Sequence, residues 1–206
     1  MVDCCEDKAC AVDALRERQS ATLKIVLGIN AVMFLVELTA GLIAGSTALL
    51  SDSLDNLGDA LTYALSLYAV SQGARAKAKV ALFKGALILG AGLFVLGQVG
   101  YRMFAGPVPM FEAMGAISLL ALAANSICLA LLWKHRQEDI NMSSVWECSR
   151  NDIGSNIAVF LAAGAVWLTG SKWPDLAVGL VLALWFLRSA VRVLRSATTE
   201  LKLALT

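Results

Sequence analysis

The sequence predicts an all-α integral membrane protein with six transmembrane helices, and three observations lead there. The chain of 206 residues is 58% hydrophobic and 16% charged, against roughly 45–50% apolar and about 25% charged in an ordinary soluble domain. Its apolar residues gather into six runs, each near the roughly 20 residues that cross a bilayer as a helix. Polar breaks carrying Gly, Ser and Pro separate the runs, as turns between helices require.

The first span is read from Leu23 to Gly45 and ends at the Gly45-Ser46 turn. The second runs from Thr47 to Val70, stopped by Ser71-Gln72-Gly73, and the third from Val80 to Gly100, followed by Gly106-Pro107-Val108-Pro109. The fourth covers Phe111 to Trp133, ahead of the polar stretch Lys134 to Met142, and the fifth covers Ser144 to Gly170. The sixth covers Pro174 to Leu194, after the break from Gly170 to Pro174. Residues 1–22 then form a Cys-containing N-terminal tail, 23–194 a six-helix transmembrane domain, and 195–206 a short C-terminal tail with no soluble domain expected after it.

An even number of spans puts both termini on one side. Lys and Arg cluster at that side, at Lys8, Arg16, Arg18, Lys24, Arg75, Lys77, Lys79, Lys134, Arg136, Arg192, Arg195 and Lys202, whereas the opposite loops hold Arg102 and Lys172. By the positive-inside rule both termini face the cytoplasm, which implies a multi-pass protein of the inner or plasma membrane. The first twenty residues have no basic start and no apolar stretch, so they do not read as a signal peptide. With 17 Lys+Arg against 16 Asp+Glu, the chain lacks the basic face that nucleic acid would need. Five cysteines without a CxxC pair indicate neither a disulfide framework nor a zinc ribbon.

The chemistry lies in residues that do not belong in lipid. Span two contains Asp52, Asp55 and Asp59; each central Asp costs roughly 2.5–3.5 kcal/mol on insertion scales, about 8–10 kcal/mol for three. Spacings of three, four and seven place them on one helical face, where a water-filled cavity, protons or a cation can relieve the cost together. Span five carries Cys148 and Asp152 four apart, with Asn156 one turn further on the same stripe. The two spans run in opposite directions, so both pairs can meet near the middle of the membrane. Carboxylate oxygens with one thiolate suit a divalent ion of borderline softness.

Several assignments keep an alternative. A polar seam neutralised by Lys84 or Arg150 would also explain the carboxylates, although Glu37 and Glu147 compete for those cations. Asp52, nearer the outer end, could cap the helix or line an entrance. Cys148 alone would read as a small buried hydrophobe, and its register with Asp152 is what makes it a ligand candidate. Asn30 and Glu37, seven apart on span one, are candidates either to support the ligands or to bond between helices. His135 reads as a headgroup contact and Cys128 as packing. Cys4, Cys5 and Cys10 beside Glu6 and Asp7 read either as a disordered tail or as a loose thiolate trap for soft metal.

The run Gly45-Ser46-Thr47-Ala48-Leu49-Leu50-Ser51-Asp52-Ser53-Leu54-Asp55-Asn56-Leu57-Gly58-Asp59 resembles the second-helix signature of the cation diffusion facilitator family. That signature places His or Asp ten residues after the glycine of the Gly-Ser turn and Asp four later, the positions of Asp55 and Asp59; Asp52 matches a frequent flanking Asp. The fifth-helix signature, His or Asp, three residues, then Asp, is met by Cys148-Ser149-Arg150-Asn151-Asp152, with cysteine a departure in first place. The likeness runs from about Leu23 to Leu194. It implies a homodimeric, proton-coupled exporter of Zn²⁺ or a related divalent ion such as Cd²⁺ or Co²⁺, working by alternating access, with Asp55, Asp59, Cys148 and Asp152 as ligands and no prosthetic group. The family's His-rich loop between helices four and five and its cytoplasmic C-terminal domain have no counterpart in the sequence.

Proton exchange follows from such a ligand set, because crowded carboxylates in a low-dielectric cavity cannot all ionise without a cation, so metal binding expels protons. Two other classes compete. CDP-alcohol phosphotransferases also place aspartates on a membrane helix, and Asp52 and Asp55 have their first spacing, but Asn56 stands where that pattern needs Gly and no second aspartate pair follows. A membrane metal sensor without transport fits the short chain and the Cys-rich tail. An intramembrane metalloprotease is excluded by the absence of HExxH.

Overall fold

The structure, a computed structural model, describes residues 4–69, 74–133 and 140–203, with side chains placed over 24–64, 82–133 and 152–199 and at Lys79 and Leu201. Within these residues it consists of six helices: α1 (Cys4–Ala44), α2 (Thr47–Ala69), α3 (Ala74–Ala105), α4 (Phe111–Trp133), α5 (Ile140–Thr169) and α6 (Trp173–Leu203). The order and number match the six predicted spans. The helices overrun the apolar runs, most of all at the N-terminus, where α1 begins at Cys4 and the segment read as a disordered tail is helical. No Gly or Pro occurs before Gly28, and the stretch is rich in Ala, Leu, Glu and Arg, the residues that lose least on entering a helix.

The most extensive contacts are α1 with α2, α3 with α6 and α4 with α5, and α2 also packs on α3, α5 and α6. This encloses α2. Leu50 and Leu54 pack with Ile88 and Val95 of α3 and Ala183, Phe186 and Ala190 of α6, while Ala48 and Leu49 pack with Met114 of α4 and Val159, Ala162 and Ala163 of α5. Large apolar side chains face outward on the other five helices, including Ile43, Phe83, Phe104, Leu119, Leu168 and Val181, and none of them lies on the described part of α2. Such a surface is what lipid accepts and water does not. Among the described residues five helices are long and apolar enough to cross a membrane, and α2 is not one of them. Its three aspartates lower its hydropathy, and neighbouring helices shield it from lipid, so it need not be apolar to sit at membrane depth.

A tight turn joins α1 to α2. Gly45 takes φ of 70°, a left-handed conformation that costs glycine nothing, and the Ser46 amide donates to Gly41 O at 3.0 Å, closing α1. The first turn of α2 would leave amide donors unsatisfied. Ser46 Oγ accepts from Leu49 N at 3.1 Å, and Asp175, in the first turn of α6, accepts from Thr47 N at 2.8 Å and Ala48 N at 3.1 Å. The hydroxyls of Ser46 and Thr47 also donate to the Asp175 carboxylate, at 2.6 and 2.8 Å. Ser51 Oγ donates to Gly179 O at 2.7 Å, and Gly179 approaches so closely that a Cβ there would lie 2.7 Å from the Thr47 carbonyl carbon. Lys172 Nζ donates to Gly106 O at 3.1 Å, bringing the α3–α4 and α5–α6 connections to the same end.

Asp175→Ala removes both carboxylate oxygens and so orphans two buried amides, which should destabilise the bundle by roughly 2–3 kcal/mol. Thermal unfolding in detergent should show a lowered midpoint, with Asp175→Asn recovering part of it. An unchanged midpoint for the alanine variant would mean that the clasp contributes nothing.

Candidate metal site on the enclosed helix

The acidic face of α2 points into the bundle. Asp52 is 2% exposed and Asp59 7%, while Asp55 is half-buried. All three lie within about two turns, since seven residues rise roughly 10 Å along a helix. Asp52 does not cap α2, because Ser46 and Asp175 hold that end. Its neighbours are instead Ser155 and Asp152 of α5, so the aspartate nearest the turn meets the fifth helix. Asp152 is half-buried. Asn156, one turn on and buried, donates through Nδ2 to Asp152 O at 2.7 Å, and Ser155 Oγ donates to the same carbonyl at 2.8 Å.

From α1, Glu37 is fully buried and accepts from Asn56 Nδ2 at 2.9 Å through Oε2. The carboxylates of Asp52 and Asp55 lie near enough to act on it electrostatically. Asn30 lies elsewhere: it donates to Val26 O at 2.9 Å and, at 3.9 Å, to Cys128 Sγ. Both residues thus make interhelical bonds, Glu37 to α2 and Asn30 to α4. Cys128 packs with Val26, Tyr63 and Leu132, in keeping with its reading as a packing residue. Lys84 of α3, 6% exposed, donates to Thr62 Oγ1, three residues beyond Asp59, so a buried cation sits one turn from the acidic face.

The Cys148 side chain lies outside the described residues, as do those of Cys4, Cys5, Cys10, Glu147 and Arg150, and His135 as a whole. Among the described residues no three His, Cys, Asp or Glu side chains converge as a preformed metal shell. What α1, α2 and α5 bring together is a buried set of acceptors. Glu37 Oε1, Asp52 Oδ2, Asn56 Oδ1 and Asn156 Oδ1 are each buried without a hydrogen-bond partner, a condition that costs roughly 1–3 kcal/mol per group. An interior with surplus oxygen lone pairs suits something positively charged.

Sequence reasoning missed Asn56, Ser155, Thr62 and Asp175. Asn56 could have been found, because it falls four residues after Asp52 and three before Asp59 on the same face. Asp175 carried no local signal, since an acidic residue in a first turn is ordinary helix chemistry and its partners lie 127 to 129 residues away.

Comparison with known proteins agrees with this architecture. Residues 23–202 match the cation efflux transmembrane domain. The chain is 24% identical over 192 residues to the metal cation efflux system protein CzcD of Cupriavidus metallidurans, covering 87% of this chain and 61% of that protein. It is 26% identical over 198 residues to the zinc transporter ZitB of Escherichia coli, covering 90% of this chain and 63% of the relative. For ZitB of Yersinia pestis the values are 25% over 199 residues, 90% and 64%. The chain therefore spans less than two thirds of the length of these relatives. With a six-helix membrane bundle, an acidic face on its enclosed second helix and a domain match over most of its length, the protein is an integral multi-pass membrane protein belonging to the cation diffusion facilitator family.

Proposed function

We propose that the protein exports divalent transition-metal cations, Zn²⁺ and Cd²⁺ foremost, in exchange for protons, by alternating access. The observation that carries this reading is the acidic face of Asp52, Asp55 and Asp59 on a helix enclosed by four others, where an exchangeable cation would offset the cost of holding three carboxylates at membrane depth. Asp55, Asp59, Cys148 and Asp152 are the proposed ligands, three oxygens and one thiolate, a donor set for ions of borderline softness. The names of CzcD and ZitB, a metal cation efflux protein and zinc transporters, point the same way.

Protons and metal compete for the same oxygens, so loading the ion releases protons and reprotonation from the far side displaces it. The unit is proposed to act as a homodimer in the inner or plasma membrane, with both termini cytoplasmic as the Lys and Arg distribution favours. Cys4, Cys5 and Cys10, on the first turns of α1, would raise the local concentration of soft metal at that side.

The test is flux in proteoliposomes made with the full chain and loaded with a metal-sensitive and a pH-sensitive dye. Zn²⁺ should enter while protons move the opposite way, and an imposed pH gradient should drive uptake. No metal movement would overturn the transport reading; metal movement with no proton flux would overturn the exchange and leave a passive pore.

A further inference from the structure

The unpartnered oxygens are not distributed over the proposed ligand set. Three of them belong to Glu37, Asp52 and Asn56, none of which is among the four proposed ligands. Glu37 is 0% exposed, Asp52 2% and Asn56 3%. Asn56 stands four residues after Asp52, on the same face of α2, and bonds Glu37 of α1; the Asp52 and Glu37 carboxylates act on one another across the gap. Asn56 Nδ2 is already engaged by Glu37 Oε2, leaving Glu37 Oε1, Asp52 Oδ2 and Asn56 Oδ1 buried with no donor. Two carboxylates and an amide oxygen offer acceptors only, from two helices held together by their own hydrogen bond.

From this geometry we infer that Glu37, Asp52 and Asn56 form a second cation site, taking a divalent ion in an all-oxygen shell. A water molecule could satisfy two lone pairs but would leave two buried carboxylates to be neutralised by protons, for which a cation competes. A divalent ion neutralises both and takes the amide oxygen as well, and oxygen donors of this kind suit Mn²⁺, Co²⁺ or Mg²⁺ better than thiophilic ions. The site lies toward the α1–α2 turn, because Asp52 precedes Asp59 by about 10 Å along α2. Ser155 and Asp152 of α5 border it, so the two sites adjoin. An ion leaving a thiolate-containing shell would meet a harder one next, a station on the way to the turn end. That role rests on the transport reading; the donor chemistry does not.

Cobalt distinguishes the two sites. The full chain carrying Cys4→Ser, Cys5→Ser and Cys10→Ser is titrated with Co²⁺ alone in detergent. It should bind two equivalents per chain, one with the intense sulfur-to-cobalt charge-transfer absorption of a thiolate ligand and one with the weak absorption of an oxygen shell. Glu37→Gln and Asp52→Asn should each weaken the second equivalent by at least about tenfold. They should keep the charge-transfer band, which also reports that the variant is folded. A single equivalent in the parent chain that Glu37→Gln leaves in place, or loss of both equivalents together in Glu37→Gln, overturns the inference. A parent chain without the charge-transfer band, but with an oxygen-bound equivalent that Glu37→Gln removes, overturns the assignment of Cys148 and upholds the second site.

Discussion

Asp59→Ala and Asp152→Ala are each expected to reduce Zn²⁺ uptake in proteoliposomes by at least about 100-fold, while the chain still inserts and stays folded. Outer groups that merely orient a ligand typically contribute about 10–100-fold to affinity, so deleting a ligand itself should exceed that. Insertion should not suffer, because removing an aspartate from membrane depth relieves roughly 2.5–3.5 kcal/mol. Both carboxylates also engage neighbouring groups in the bundle, so the alanine variants are paired with Asp59→Asn and Asp152→Asn, which keep the shape and a hydrogen-bonding oxygen. All four should elute from size exclusion as the parent does and fail to transport. Near-parental uptake by both alanine variants would sink the proposed site.

The second large effect concerns which metal is carried. Cys148 contributes the softest atom of the proposed shell, so it should favour Cd²⁺, and then Zn²⁺, over Mn²⁺. Cys148→His exchanges sulfur for imidazole and keeps four ligands; Zn²⁺ transport should persist while the preference for Cd²⁺ over Zn²⁺ falls on the order of tenfold, ~1.4 kcal/mol. Cys148→Asp makes the shell all oxygen and should shift the preference toward Mn²⁺. Because the thiol must lose its proton as metal binds, the parent should respond more steeply to pH than Cys148→Ala. Competition between Cd²⁺ and Zn²⁺ for uptake reads all of these. An unchanged ratio across the variants would make Cys148 a packing residue and leave the fourth ligand to another group.

These two experiments address residues that could be chosen from the sequence. Helical periodicity is a local property: three aspartates at spacings of three and four must share a face wherever the helix goes, and the same holds for Cys148, Asp152 and Asn156. The count of six helices was legible for a similar reason, since roughly 20 apolar residues between turn-forming breaks have one stable arrangement in lipid. Helix ends were less legible. The polar overhangs of α1, α3 and α6 lie beyond the apolar runs, where hydropathy is silent and only helix propensity speaks.

The membrane setting, the six helices, and the two stripes of ligand candidates on the second and fifth of them were thus legible in the amino-acid order. The tertiary structure decided which groups those stripes meet. It enclosed α2 within four helices, turned Asp52 toward Asp152 and Ser155, joined Glu37 to Asn56, and set Asp175 against the first turn of α2. None of these pairings follows from spacing along the chain, because each depends on how one helix is rotated and shifted against another. That choice is made by interhelical packing such as that of Leu50 with Ile88 and Phe186, and by the burial of polar groups that need partners in the absence of water.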